Sequence, residues 1–386
     1  MDPGQVRAVP EHSAHPKVDW KGLAIAALLP ALAVVLALAI GAVLLLLLHA
    51  DPGKAYAALL GGAFGTTSGL TQSVVKATPL LLVALGIIIA FRANVINIGA
   101  EGQIILGALA GTWLALACPT WPGWLLIPAV LLIGFLGGAA WGFVPGWLKA
   151  RLGVNEILST IMMNAIALQL INLMLSGPLM DPAEVASGTF IAQSARLPEQ
   201  VWLPRLVPQT QLHMGAILAV ILAGAVYILL WRTTIGYRIR AVGLNPDAAR
   251  HAGIPVPFYQ ALSLTLAGGF AGLAGVVEVI GVQHRLLEGI TSGYGFSGIV
   301  AALFGQLHPL LAIPAAYLFG SLLVGSNIMQ RAVQVPSALI DTLLGVVVLV
   351  VVGADYSIRR HAARNTAALA ATRAASIPAE IGAEHA

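Results

Sequence analysis

Val-Val-Lys-Ala-Thr-Pro-Leu-Leu-Leu-Val-Ala-Leu-Gly-Ile-Ile-Ile-Ala-Phe (74–91) decides the fold class, because one lysine is its only charge. A helix rises 1.5 Å per residue, so about 20 apolar residues cross a hydrocarbon core about 30 Å thick. Runs of similar character lie on either side, at 22–48, 125–147, 212–231, 259–281 and 337–353. Shorter or more polar candidates occupy 98–117, 156–175, 294–306 and 309–327. About ten spans are therefore expected, with 294–306 too short to cross without a break or a partner. The runs are continuous rather than alternating, which excludes a membrane β-barrel. Helices remain, since each must satisfy its own backbone N–H and C=O groups in lipid.

Composition agrees. Of 386 residues, 58% are hydrophobic and 9% charged, with a mean hydropathy of +0.89; a soluble domain carries roughly 25% charged residues. A soluble enzyme cannot bury that much apolar surface, and a disordered chain would be poor in it. The single cysteine, Cys118, excludes an internal disulfide framework and any multi-cysteine metal site. The expected class is an all-α, polytopic integral membrane protein. The apolar run from Leu23 to Leu48 exceeds a signal-peptide core of about 7–15 residues, so the first helix is read as a retained anchor.

With both termini inside, fourteen of the twenty lysines and arginines fall on the cytoplasmic face, as positive charge is retained there. The expected layout is a cytoplasmic segment 1–21, a transmembrane domain 22–355 and a cytoplasmic tail 356–386. Two polar segments interrupt the domain. Residues 176–211 carry five prolines and are expected as an irregular outer loop; 232–258 carry four arginines and are expected inside. Spans 74–175 and 259–353 then run in opposite directions, which fits an inverted 5+5 repeat. Gly134, Gly138, Gly142 and Gly146 recur every four residues, and Gly268, Gly272 and Gly275 form a looser set. Such stripes let helix backbones approach closely.

The inner segment reads Arg-Thr-Thr-Ile-Gly-Tyr-Arg-Ile-Arg-Ala-Val-Gly-Leu-Asn-Pro-Asp-Ala-Ala-Arg-His-Ala-Gly-Ile (232–254). Asn245 can cap a helix that begins at Pro246, where the missing N–H costs nothing. Asp247 suits the first turn, and Gly253 can end the helix in a left-handed conformation. A helix of about two turns is unstable alone, so it needs something to dock against. An ordinary basic loop held by lipid phosphates is the alternative.

Residues 240–254 resemble the coupling loop in permease subunits of bacterial ABC importers of the ribose/branched-chain amino acid permease superfamily. Phe-Arg-Ala-Asn-Val-Ile-Asn-Ile-Gly-Ala-Glu-Gly-Gln (91–103) and Gly-Val-Asn-Glu-Ile-Leu-Ser-Thr-Ile-Met-Met-Asn (153–164) are similar to that superfamily's nucleoside, guanosine-type branch. The resemblance implies a multi-pass subunit of the bacterial inner membrane that forms the translocation path for nucleosides, purine nucleosides first. It implies partners: a cytoplasmic ATP-binding subunit holding ATP and magnesium, a second permease in a homo- or heterodimer, and an extracytoplasmic substrate-binding protein. It assigns coupling to Gly236, Arg238, Arg240, Gly243, Asn245, Pro246, Asp247, Ala248, Ala249 and Gly253. A simple-sugar permease of the same superfamily, or a carrier driven by an ion gradient, are the alternatives.

No G-x-x-x-x-G-K-[S/T] loop occurs, so ATP would be bound by another chain, and no cofactor is expected on this one. Gly293–Gly298 matches G-x-G-x-x-G but lacks the later acidic residue of a dinucleotide site; it reads as a close-packed start to a short helix. No catalytic motif or His/Cys metal set appears, and the few charges do not make a nucleic-acid face. Asn97, Glu101 and Gln103 lie where membrane is expected. They read as a non-helical border of the translocation path with Glu101 held by Arg92, or as a cytoplasmic turn with a surface ion pair. Glu156, Thr160 and Asn164 share a helix face, lining the path or bonding to a neighbouring helix. Glu278 and Asp341 are expected to pair with Arg285 and Arg331.

Overall fold

The computed structural model describes residues 49–334 without interruption and, beyond them, 35–36, 39–47, 342, 345 and 353. The 1–21 segment, much of the expected 22–48 span, nearly all of the 337–353 span with Asp341, and the 356–386 tail lie outside the described residues. The chain divides into two compact units, Ala42–Leu344 and Met1–Gly41 with Gly345–Ala386. The second is helical at each of its few described positions.

Helices follow one another along the described chain. They are α1 (Ala39–Leu47), α2 (Pro52–Phe64), α3 (Thr67–Arg92), α4 (Ala100–Ala117), α5 (Gly123–Leu152), α6 (Glu156–Leu175) and α7 (Pro182–Ser187), then α8 (Gly215–Arg232), α9 (Thr234–Leu244), α10 (Pro246–His251), α11 (Val256–Glu278), α12 (Tyr294–Phe304) and α13 (Ala312–Val333). Among the described residues seven are long and apolar enough to cross a bilayer, or up to eight if the bent pair α1–α2 counts as one. They match seven of the expected spans; 294–306 is the 11-residue α12. Helix α2 was not expected. Asp51 starts it by accepting from the amides of Gly53 and Lys54, with Pro52 at the first helical position.

Helices α3 and α11 are buried over most of their length and form the centre. The glycine stripe of α5 explains how a third helix reaches them. A Cβ at Gly138 would strike the carbonyl oxygen of Gly268, one at Gly272 that of Gly134, and one at Gly142 that of Leu264. Backbone therefore meets backbone along the α5–α11 crossing, supplying the packing that hydrophobic burial cannot provide in lipid. Among the polar side chains of these helices, Ser73, Thr78 and Ser263 donate to carbonyls one turn back.

Two places depart from helix within this frame. Residues 93–99 connect α3 to α4, with Val95 and Asn97 fully buried. Helix α11 widens into a π-turn at Val279–Gln283 before residues 284–293 lead to α12. The expected outer loop closes over this π-turn. Leu203 donates its amide to Ile280, Leu197 to His284 and Ser194 to Leu286, and only α7 and a single 3-10 turn interrupt its irregular path.

Candidate functional site

The polar segment 232–258 folds as a bent arm, helical in two pieces where the sequence indicated one. Thr233 caps α9 by accepting from Gly236 N–H (3.1 Å), and Gly236 lies against the backbone of Leu229 and Leu230. Asn245 then caps α10 as expected, accepting from Asp247 N–H (3.0 Å) and Ala248 N–H (3.1 Å). Pro246 holds the first helical position, and Gly253 follows the helix with φ of +77°. Asp247 and Arg250 pair on the exposed face at 3.2 Å.

Helix α10 packs on α9 and α11, and α9 in turn docks on the end of α3. Ile239, Val242 and Ala249 are buried, and Gly243 sits where any Cβ would collide with the carbonyl oxygen of Arg92. Arg238 donates to the Tyr259 hydroxyl (2.9 Å). Arg240 lies over the Trp231 ring at 5.6 Å, and Arg92 over the same ring at 5.2 Å. His308 packs on Trp231 (5.1 Å) and Tyr227 (5.5 Å). While one face is fixed, the other is open: Leu244 is 88% exposed and Tyr237 61%. Nothing in the sequence pattern alone reveals the rings of Tyr227, Trp231 and His308 as one cluster, because they come from α8 and the α12–α13 connection.

The expected pairing of Glu101 with Arg92 does not form. Arg92 instead donates from Nε (3.1 Å) and a terminal guanidinium nitrogen (2.9 Å) to the Leu307 carbonyl. Glu101 Oε1 accepts from Gly295 N–H (2.8 Å) and Phe296 N–H (3.3 Å), across the opening turn of α12. A carboxylate suits that place, since unpaired N–H groups and the dipole leave positive charge at a helix start. The starts of α4 and α12 thus meet. Ten residue steps at 1.5 Å carry α12 from there about 15 Å to the Arg92 end, roughly half a hydrocarbon core. Within the break Asn97 Nδ2 donates to Gln103 Oε1 (2.9 Å), and both side chains are buried.

Asn164 secures the break from α6, accepting from Gly102 N–H (2.8 Å) and donating to the Ile98 carbonyl (2.9 Å). Thr160 returns its hydroxyl to the Glu156 carbonyl (2.6 Å), and Glu156 pairs with Lys149 at 2.6 Å. The match to G-x-G-x-x-G is a packing device. Gly293 has φ of +76°, Gly295 lies against Glu101, and Gly298 against Val83. Glu278 is corrected too: its partner is Lys76 (3.8 Å), which also bonds the Tyr294 hydroxyl (2.6 Å), and not Arg285. Both groups lie within apolar helices, where pairing offsets the cost of burying charge.

In the loop between α6 and α8, Trp202 stacks on His284 (4.0 Å) beneath the Arg196 guanidinium (4.7 Å). Burial, then the nearby charge of His284, holds His213 down to about 4. Burial also lowers His284, with Arg205 and Arg196 contributing.

Seven helices long and apolar enough to cross a bilayer, packed around a buried core and carrying a docked polar arm, define a multi-pass membrane protein. Residues 69–352 match the family described as branched-chain amino acid transport system / permease component, and the chain belongs to this family of ABC transporter permeases. It is 35% identical over 337 residues to the glucose ABC transporter permease protein TsgB13 of Haloferax volcanii, covering 85% of this chain and 87% of that one. It is 34% identical over 333 residues to the guanosine ABC transporter permease protein NupP of Bacillus subtilis, covering 86% and 94%. The nucleoside ABC transporter permease protein NupB of Lactococcus lactis is 34% identical over 305 residues, covering 78% and 83%. No solved structure matches significantly.

Proposed function

We propose that this chain forms the translocation path of an ATP-driven nucleoside importer in the bacterial inner membrane, with purine nucleosides as the favoured cargo. The single observation that carries the ATP-driven part is the arm, fixed to α3 through Gly243 while Leu244 and Tyr237 face outward. That is the anatomy of a lever: one side cannot slide, the other offers apolar area to a partner. A cytoplasmic subunit holding ATP and magnesium grips Gly236–Gly253 and closes on nucleotide binding. Its motion enters the membrane through Arg238, Arg240, Gly243 and the α10 helix capped by Asn245. A second permease, identical or related, completes the conduit, and an extracytoplasmic binding protein delivers cargo.

The names of NupP and NupB support nucleoside as the cargo class. Within the path, Asn97, Gln103, Thr160 and Asn164 hold the break in shape, and Glu101 sits at its rim. Simple sugars are the second reading, favoured by the name of TsgB13. The test is uptake by the full complex in vesicles, using radiolabelled guanosine with competitors in excess. Adenosine should suppress uptake at least tenfold more effectively than glucose or ribose; labelled glucose accumulating while guanosine does not would replace the nucleoside reading by the sugar one.

A further inference from the structure

Helix α12 is held at both of its ends, by two residues that flank the α3–α4 connection. At its C-terminal end, the Leu307 carbonyl accepts two hydrogen bonds from Arg92, whose own carbonyl abuts Gly243 of the arm. Arg92 shares the Trp231 ring with Arg240 of the arm, and His308 packs on that ring. At its N-terminal end, Gly295 and Phe296 amides are clamped by Glu101 at the start of α4. The helix between has 11 residues, short enough to move as one body. Its flank lies along α3, where Gly298 meets Val83 and the Tyr294 hydroxyl accepts from Lys76 (2.6 Å) beside the Glu101 clamp.

We infer that α12 is the strut that carries the arm's movement to the intramembrane break, with Arg92 as the positioning residue at the arm end and Glu101 as the one at the gate end. The inference deepens the ATP-driven reading and rests on it. When the arm shifts, the Arg92 backbone shifts with it because Gly243 leaves no slack. The guanidinium then draws the 305–308 connection along, and α12 follows. At its far end the strut either pulls Glu101 or releases it, altering the point at which α4 and α12 meet. The energetic coupling needs two arrangements of one rigid element biased from both ends, and this helix has a separate anchor at each.

The test uses the full complex in a Cys118→Ala background with paired spin labels. One pair reports the arm, from Leu244 to Leu158; the other reports the strut, from Phe296 to Met162, all four exposed. ATP should change both distances in the parent. In Arg92→Gln the arm distance should still change and the strut distance should not, with uptake reduced at least tenfold and basal ATP hydrolysis within twofold. A strut that still follows the arm in Arg92→Gln overturns the inference while leaving the ATP-driven reading intact. An arm that ignores ATP in the parent overturns that reading itself. Should Arg92→Gln fail to assemble, Glu101→Ala and Glu101→Gln decide: Gln keeps the Oε1 acceptor and should retain most uptake that Ala loses, and equal loss from both contradicts the clamp.

Discussion

The arm at 232–258 and the cap at 176–214 are both polar interruptions in an apolar chain, and they are held in opposite ways. The arm is helical, capped by Thr233 and Asn245, and locked to α3 where Gly243 meets the Arg92 carbonyl. The cap is mostly irregular. It is fastened to the end of α11 by a few backbone bonds, from Ser194, Leu197 and Leu203, and by the stacking of Trp202 on His284. Close backbone contact transmits displacement, since packed interiors deform little. A loop fastened by scattered bonds opens locally at low cost. The first region is suited to pushing and the second to yielding, which is the division of labour an importer worked from one side requires.

Breaking the arm's lock has the largest expected effect. Gly243→Val inserts a side chain where the Arg92 carbonyl already stands, and the obstacle is backbone that cannot swing aside. Uptake should fall to background with membrane insertion unchanged, as read by vesicle assay alongside detergent-extracted yield. Uptake within twofold of the parent would show that the arm need not sit on α3.

The cap offers the smaller effect, through pH. His213 is held at about 4 against an ordinary value near 6.5. Between those values the released cap binds more protons than the docked one, so docking weakens as pH falls. Its full stability is present above about 6.5 and is progressively lost toward 4. Hydrogen-exchange protection factors, in which the intrinsic slowing of exchange at low pH is divided out, should therefore fall at Ser194, Leu197 and Leu203 below pH 6.5 while those of the arm's amides at Ile239 and Val242 hold steady. In His213→Phe that fall should shrink. An equal loss of protection in both regions would mean global loosening and would erase the distinction between them.

The fold was largely legible because long apolar runs leave few choices in lipid. The exceptions share one signature. Asn245-Pro246 reads as a cap and first helical residue, and Asp51-Pro52 starts α2 and Asp181-Pro182 starts α7 by the same chemistry. Helix α7 interrupts the expected loop at 176–211 and α2 lies between two expected spans, where hydropathy directs attention elsewhere. The polar character of 91–103 marked the break, but not its partners. Arg92 and Glu101 are close in sequence and opposite in charge, which made a mutual pair attractive. Each instead satisfies backbone groups some two hundred residues away, at the start of α12 or just beyond its end, and backbone groups carry no sequence signal. Lys76 and Glu278 are hidden for the same reason: which helices adjoin is decided by glycine crossings such as Gly86 of α3 with Ala267 of α11, not by the nearest opposite charge.

The decisive measurement compares vesicles holding this chain alone with vesicles holding it beside its ATP-binding subunit, second permease and binding protein. Accumulation of guanosine against its gradient should require the complete set and interior-accessible ATP, and should survive a protonophore. Uphill accumulation by the isolated chain, abolished by that protonophore, would contradict the account at its root.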